Sequence, residues 1–181
     1  GMPPVDLYVR FTMRPWINTG FFGFETPVEN MPYYGLEYGR VVGNAALILC
    51  TDLKPEEKEP LLVNLVQIGI DYGSVIRGGH PGWPAWGGHG SGRKLPVVFA
   101  GIMLGDDELA NINRSFPAVS FGEDEQTAYG DCWTGAKVVF AGHSGIDAAT
   151  GAGRSRGSGW GPYEHMHPRE WKDGQNTSES Y

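Results

Sequence analysis

The chain has 181 residues and a formal net charge of −7, with 40% apolar and 19% charged residues. That length suits one domain, or part of one, with a real apolar core. The acidic balance argues against nucleic acid as a partner, because nucleic-acid binders need a basic field. No run reaches the roughly 18 apolar residues that a membrane span requires. Glycine is unusual, since its 28 residues are about twice the average usage of roughly 7%.

The chain begins with an aromatic segment over residues 1–34, which Pro15, Pro27 and Pro32 interrupt. This segment is predicted to be irregular, because proline inside a helix removes a hydrogen bond and clashes with the preceding turn. Within it, Val5–Phe11 predicts a short strand, since apolar side chains alternate along that stretch.

Two helices are predicted next, because apolar residues recur at helical spacing over Gly35–Thr51 and over Leu61–Tyr72. The second is apolar nearly all round, which indicates burial on several sides. It begins either at Pro55 with a kink at Pro60, or at Pro60 as its first-turn proline. Gly73 can end it. This apolar surface predicts self-association, or burial against further segments of a longer protein.

A third helix is predicted over Arg93–Leu104, with Gly105 as its C-terminal cap, and a short fourth helix opens at Asp106. The acidic run Glu123–Glu125 is interpreted as a solvated turn. Gln126–Phe140 fits either a helix or a strand.

The predicted fold class is therefore mainly α, with antiparallel helix hairpins over residues 35–117 and long loops rich in Gly, Trp and His. Residues 118–181 are predicted to form a Gly-rich, loop-dominated segment, in which residues 141–181 carry almost no apolar periodicity. We predict that the whole chain is one domain or a fragment of one.

The loop between the second and third helices carries the strongest functional signal. Its glycines let a backbone approach a ligand closely, and tryptophan faces pack well against sugar rings. A cationic pair at the start of the following helix suits a carboxylate, because the helix dipole is also positive there. The competing interpretation is a connection whose tryptophans fill a seam and whose histidines bond backbone carbonyls. The candidate residues are His80, Trp83, Trp86, His89, Arg93 and Lys94.

A second signal is the His165-Met-His167 pair, which has Glu164 before it and Glu170 after it. Two histidines one residue apart on an extended segment point to the same side, and with a carboxylate they form a zinc-type ligand set. A divalent metal is thus the only cofactor that the sequence suggests. The competing interpretation is a solvated loop in which the histidines are incidental.

The helices Tyr38–Leu49 and Leu61–Tyr72, with the loop Gly-Gly-His-Gly-Ser-Gly-Arg-Lys over residues 87–94, resemble the α/α-toroid carbohydrate-active proteins of bacteria. These include alginate-lyase-like and heparinase-like polysaccharide lyases. The resemblance covers residues 35–105, and the chain lacks the Asn-x-x-x-His helix followed by a tyrosine base. It implies part of a toroid, an acidic polysaccharide as partner, and a periplasmic or secreted location.

The resemblance implies cleavage of an acidic glycan by β-elimination. His89 would then remove the proton, Arg93 would stabilise the uronate carboxylate, and His80 would assist. Sugar stacking and further positive charge would come from Trp83, Trp86 and Lys94. A hydrolase would need paired carboxylates, for which Asp131 beside Trp133 is the one candidate. Two rival functions are a non-catalytic sugar-binding or structural module, and a metal-binding protein.

Overall fold

A computed structural model describes residues 4–13, 35–85, 90–125, 127–129 and 138–140, and most of these are helical. The mainly α fold class is therefore confirmed. The helices are α1 (Val5–Thr12), α2 (Gly35–Leu49), α3 (Pro55–Arg77), α4 (Lys94–Leu104), α5 (Asp107–Ala110), α6 (Ile112–Ser115) and α7 (Gly122–Glu125). The strands are β1 (Gly82–Trp83), β2 (Ser120–Phe121), β3 (Thr127–Tyr129) and β4 (Val138–Phe140).

The strands form two small ladders that connect distant parts of the chain. β1 pairs with β2 in parallel, with Gly82 opposite Ser120 and Trp83 opposite Phe121. β3 pairs with β4 in antiparallel fashion. The sequence allowed either a helix or a strand for residues 126–140. The described parts of this range are the strands β3 and β4. The first ladder fastens the loop after α3 to the segment that leads into α7.

Helix α3 begins at Pro55, so the first of the two predicted starts is correct, and Pro60 lies inside the helix. The Glu57 carboxylate accepts the Lys54 backbone N–H at 3.1 Å, which caps the N-terminus. The prediction that Gly73 ends the helix is wrong, because α3 continues to Arg77. Gly73 is instead a packing position, since a Cβ there would lie 2.8 Å from a Leu109 methyl.

Helices α2 and α3 run antiparallel. At one end, the Lys58 ammonium donates to the Leu49 carbonyl at 3.0 Å and to the Thr51 carbonyl at 2.8 Å, near the negative end of the α2 dipole. At the other end, the buried side chains of Tyr38 and Tyr72 meet. The predicted hairpin is thus present at this pair of helices.

The core lies between α2, α3 and α4, and α1 packs across the first two. The α3–α4 contact is close enough that a Cβ on Gly69 would collide with the Pro96 carbonyl and lie 2.5 Å from the Ala100 Cβ. Contact between backbones at this separation excludes any side chain at position 69. The fully buried large core side chains include Tyr38, Tyr72, Trp83, Phe121, Ile48, Leu61, Leu65, Ile68, Leu109 and Ile112.

The strand predicted at Val5–Phe11 is wrong, because these residues belong to α1. The buried side chains of the helix are Tyr8 and Thr12, which lie four residues apart and so share a helical face. The Asn44 amide donates to the Tyr8 hydroxyl at 2.7 Å, and the Asn64 amide donates to the Val9 carbonyl at 3.2 Å. In so short a run, alternating apolar side chains do not distinguish a strand from a helix. The contacts with α2 and α3 favour the helix.

Helix α4 ends as predicted, with Gly105 in the left-handed conformation at φ 68°. Its last turn leaves large apolar side chains exposed, among them Ile102 at 66% and Leu104 at 56%. This is the kind of surface that the predicted self-association requires, and that association stays a prediction. Within the described ranges, no helix is both long enough and apolar enough to cross a membrane.

Candidate functional site

The loop between α3 and α4 folds back on itself and packs against the start of α2. A Cβ on Gly90 would collide with the Pro84 carbonyl. Gly92 has φ +90°, and a Cβ there would lie 2.6 Å from the Gly39 amide nitrogen. The space beside both glycines is thus filled by the chain's own backbone, which is a sufficient reason for glycine at these positions.

Arg93 lies inside this loop and is only 2% exposed. Its guanidinium carbon sits 4.0 Å above the Tyr38 ring centroid and 6.0 Å from that of Trp83. A desolvated cation over aromatic rings is held by the negative faces of those rings. The predicted direct contact between Arg93 and a ligand carboxylate is therefore unsupported, because the cation faces the core.

Trp83 is also a core side chain, with 2% of its surface exposed. Its ring centroid lies 5.0 Å from that of Tyr72 and 6.2 Å from that of Phe121. The pairing of β1 with β2 carries Trp83 inward beside Phe121. Its predicted role as an exposed platform for a sugar has no support in this position, because protein side chains occupy its surroundings.

His80 is half-buried at the edge of the same cluster, 4.7 Å from the Trp83 ring between centroids. Its Nδ1 accepts the Gly82 backbone N–H at 3.1 Å. The neutral imidazole therefore carries its proton on Nε2, since the accepting nitrogen must be unprotonated. In this state His80 can donate a hydrogen bond, which suits an assisting group better than a base.

Tyr72 of α3 is fully buried and is a neighbour of both Arg93 and Tyr38. Burial raises the pKa of its hydroxyl well above the ordinary value, because the phenolate would be desolvated. The neighbouring Tyr38 hydroxyl raises this pKa further, while the Arg93 charge partly opposes the rise. Tyr72 is thus a neutral hydroxyl group over the physiological pH range.

Helix α7 supplies a buried carboxylate to the other side of the loop. The Glu123 Oε1 accepts the backbone N–H of Gly92 at 2.7 Å and that of Lys94 at 3.2 Å. It therefore caps the N-terminus of α4, where backbone donors and the helix dipole favour an anion. Burial raises the pKa of Glu123, and its hydrogen bonds with backbone N–H groups and the nearby Arg93 charge oppose that rise.

The next two residues of α7 bind the loop and its surroundings. Asp124 forms an ion pair with the Lys94 ammonium and accepts the Asn113 amide at 2.7 Å. Glu125 accepts the Ala85 backbone N–H at 2.8 Å. The interpretation of residues 123–125 as a solvated turn holds for the exposure of Asp124 and Glu125, but Glu123 is half-buried and the three residues lie in helix α7. A run of three acidic residues is usually solvated, so the sequence carries no signal for these partners.

A cleft of about 580 Å³ opens beside the acidic residues of α7, between the start of α4 and the helices α5, α6 and α7. Its described lining consists of Lys94, Val98, Ala110, Asn111, Ile112, Asn113, Arg114 and Asp124. Lys94 is the one sequence-predicted site residue found in this lining. The amides and Arg114 were missed, because they follow no motif that points to a ligand.

Several predicted site residues lie outside the described residues. They are Trp86, His89, Asp131, His165 and His167. The metal site proposed for the two C-terminal histidines is therefore still a prediction. In the part of the chain that the structure describes, no three His, Cys, Asp or Glu side chains are grouped to hold a metal ion.

Comparison with known proteins gives no relative for this chain. No protein-family model, no curated protein and no solved structure matches it. The resemblance to α/α-toroid proteins stays a prediction from the sequence.

Proposed function

We propose that the chain binds acidic oligosaccharides in the cleft beside α7, as a segment of a polysaccharide-active protein. The observation that carries the proposal is the lining, which places Lys94 and Arg114 beside Asn111 and Asn113. An arginine fork matches a carboxylate with two parallel hydrogen bonds. Amide groups both donate and accept, as sugar hydroxyls require.

The catalytic form of this proposal is β-elimination with His89 as the base. A hydrolase needs two carboxyl groups flanking the scissile bond. Asp124 is the sole carboxylate in the described lining, and both of its oxygens bond to protein side chains. This favours the lyase over the hydrolase. The half-buried His80, with its proton on Nε2, suits a hydrogen-bond donor in that chemistry.

The second candidate is a non-catalytic sugar-binding or structural module. It is favoured by the burial of Arg93 and Trp83, and by the backbone contacts that fill the space beside Gly90 and Gly92. These four residues are part of the loop's functional signal, and packing of the loop accounts for each of the four. In such a module the loop is a rigid support, and the cleft beside it binds without cleaving.

Titration with alginate-, pectin- and heparin-type oligomers tests binding, with neutral gluco-oligomers as the control ligands. We expect acidic oligomers to bind and Arg114→Ala to weaken them about tenfold, which is roughly 1.4 kcal/mol. Arg10→Ala is the matched control, because it removes an exposed arginine that pairs with Asp6 on α1. Equal affinity of the wild type and Arg114→Ala for every acidic oligomer would refute the proposal that these oligomers bind in the cleft.

Near-ultraviolet absorbance separates the two candidates. β-Elimination leaves an unsaturated sugar that absorbs there, whereas a binding module leaves the oligomer unchanged. The lyase predicts growing absorbance that is lost in His89→Ala. Binding without any absorbance change would establish the module instead.

A further inference from the structure

The charge of the cleft decides which acidic glycan it can take, if the proposed function holds. Its described lining contains two cations, Lys94 and Arg114, and one carboxylate, Asp124. The net charge of this lining is therefore plus one. A uronate polymer carries one carboxylate on each sugar, which is two on each disaccharide, whereas a heparin-type glycan carries more anionic groups than this on each disaccharide. The additional anions of the sulfated glycan lack a compensating cation in the described lining.

Asp124 is fixed within the cleft by two side chains of the lining. One of its oxygens pairs with the Lys94 ammonium, and the other accepts the Asn113 amide at 2.7 Å. The Asp124 side chain is 36% exposed and the Lys94 side chain is 25% exposed. The pair thus faces the cleft, where its charges act on a bound ligand.

The fixed carboxylate has two effects on an anionic ligand. It compensates Lys94, which removes one attractive cation, and it places a negative charge where a second ligand anion would sit. Like charges brought together across an interface disfavour the wrong partner. Discrimination between ligands commonly depends on such a repulsive group as well as on attractive contacts.

We propose that Asp124 is a specificity-determining residue, which makes the cleft prefer glycans with one carboxylate per sugar over sulfated ones. Arg114 then carries the carboxylate recognition. Asn113 keeps a second amide N–H and its carbonyl for sugar hydroxyls, because its bond to Asp124 uses only one of its two N–H donors.

The test compares an alginate-type and a heparin-type oligomer of equal length, titrated into the wild type and Asp124→Asn. The wild type should prefer the uronate oligomer. Asp124→Asn should bind the sulfated oligomer roughly threefold or more tighter, as expected for a partly screened charge, and should change uronate affinity less. The gain should shrink with added salt, because the effect is one of charge.

Asp6→Asn is the matched control, since it also removes one carboxylate from an exposed ion pair, on α1. It should leave both affinities unchanged. Thermal unfolding of Asp124→Asn checks that the variant is folded, and Asp124→Ala repeats the test without any hydrogen-bonding group.

The outcomes separate this inference from the proposed function. If the wild type binds neither acidic oligomer, the proposed function fails and the inference fails with it. If the wild type binds both, but prefers the sulfated oligomer or responds to Asp124→Asn no more than to Asp6→Asn, binding stands and the role of Asp124 is refuted.

Discussion

Two contacts of α4 hold the described structure together by different physics. On one side, α4 meets α3 through shape alone, with Gly69 against Pro96 and Ala100. At its N-terminus, α4 meets α7 through charge, with the Glu123 carboxylate on backbone N–H groups beside the buried Arg93. The first contact tolerates no added atom, and the second tolerates no loss of the acceptor that binds its two backbone N–H groups. An added atom should therefore destabilise the contact of α4 with α3 but not its contact with α7. Loss of the carboxylate acceptor should do the reverse.

The largest effect is expected where an atom is added to the shape contact. Gly69→Ala should lower the free energy of unfolding by about 3 kcal/mol, because the new methyl forces the α3 and α4 backbones apart. Gly43→Ala is the control, since nothing lies within 4 Å of a Cβ there. It should stabilise α2 by roughly 0.5–1 kcal/mol through helix propensity. Chemical denaturation measures both, and equal effects of the two substitutions would contradict close packing at Gly69.

A smaller effect is expected where the charge contact loses its carboxylate. Glu123→Ala should cost about 2 kcal/mol, because it leaves two backbone N–H groups without an acceptor next to a buried cation. Glu125→Ala removes a single, more exposed bond to Ala85 and should cost less than half as much. If denaturation shows that Glu125→Ala destabilises the protein more than Glu123→Ala does, Glu123 is not the main contact between α7 and the loop.

The pH dependence of stability sharpens the same contact. The folded pKa of Glu123 is raised above the ordinary 4.5 by burial, so the folded state binds this proton more tightly than the unfolded state does. Its contribution is present below pH 4.5 and is lost as the pH rises through the folded pKa. The stability of the wild type relative to Glu123→Gln should therefore fall with rising pH, measured by denaturation at each pH. A pH-independent difference would contradict this.

The pH dependence of stability that Asp106 contributes has the opposite sign to that of Glu123. The pKa of Asp106 is lowered from 3.8, first by the hydrogen bond from Arg77 and then by the Leu109 backbone N–H. Its contribution is present above pH 3.8 and is lost as the pH falls. Asp106→Asn should therefore remove stability at neutral pH and have little effect at strongly acidic pH, in the reverse order to Glu123→Gln.

The sequence predicted the helices that form the shape contact, but neither that contact at Gly69 nor the charge contact at Glu123. Apolar spacing located α2, α3 and α4, and the cap at Gly105, because a helix face and its ending are local properties. It failed at α1, because so short a run fits both the strand and the helix spacing. Contacts with Asn44 and Asn64 favour the helix there. It also ended α3 too early, since Gly73 is required by Leu109, a residue far along the chain.

The candidate site was predicted only in part. Arg93 and Trp83 were predicted to contact a ligand, but both are buried, and the sequence does not itself reveal whether an arginine or a tryptophan is buried. Their burial depends on the β1–β2 pairing and on Tyr38, which no local pattern reveals. Of the cleft residues, Lys94 was found through its place at a helix start, and Arg114 was not, because its neighbours come from three separate helices.

We propose that the buried Arg93 stabilises the folded loop, whereas Arg114 in the cleft contacts the ligand. The most direct measurement is the affinity for an alginate-type oligomer of folded Arg93→Lys and Arg114→Ala, titrated side by side with the wild type below their unfolding temperatures. We predict that Arg93→Lys unfolds at a lower temperature but binds as the wild type does, and that Arg114→Ala unfolds normally but binds about tenfold more weakly. Loss of binding in Arg93→Lys together with wild-type binding in Arg114→Ala would contradict the account.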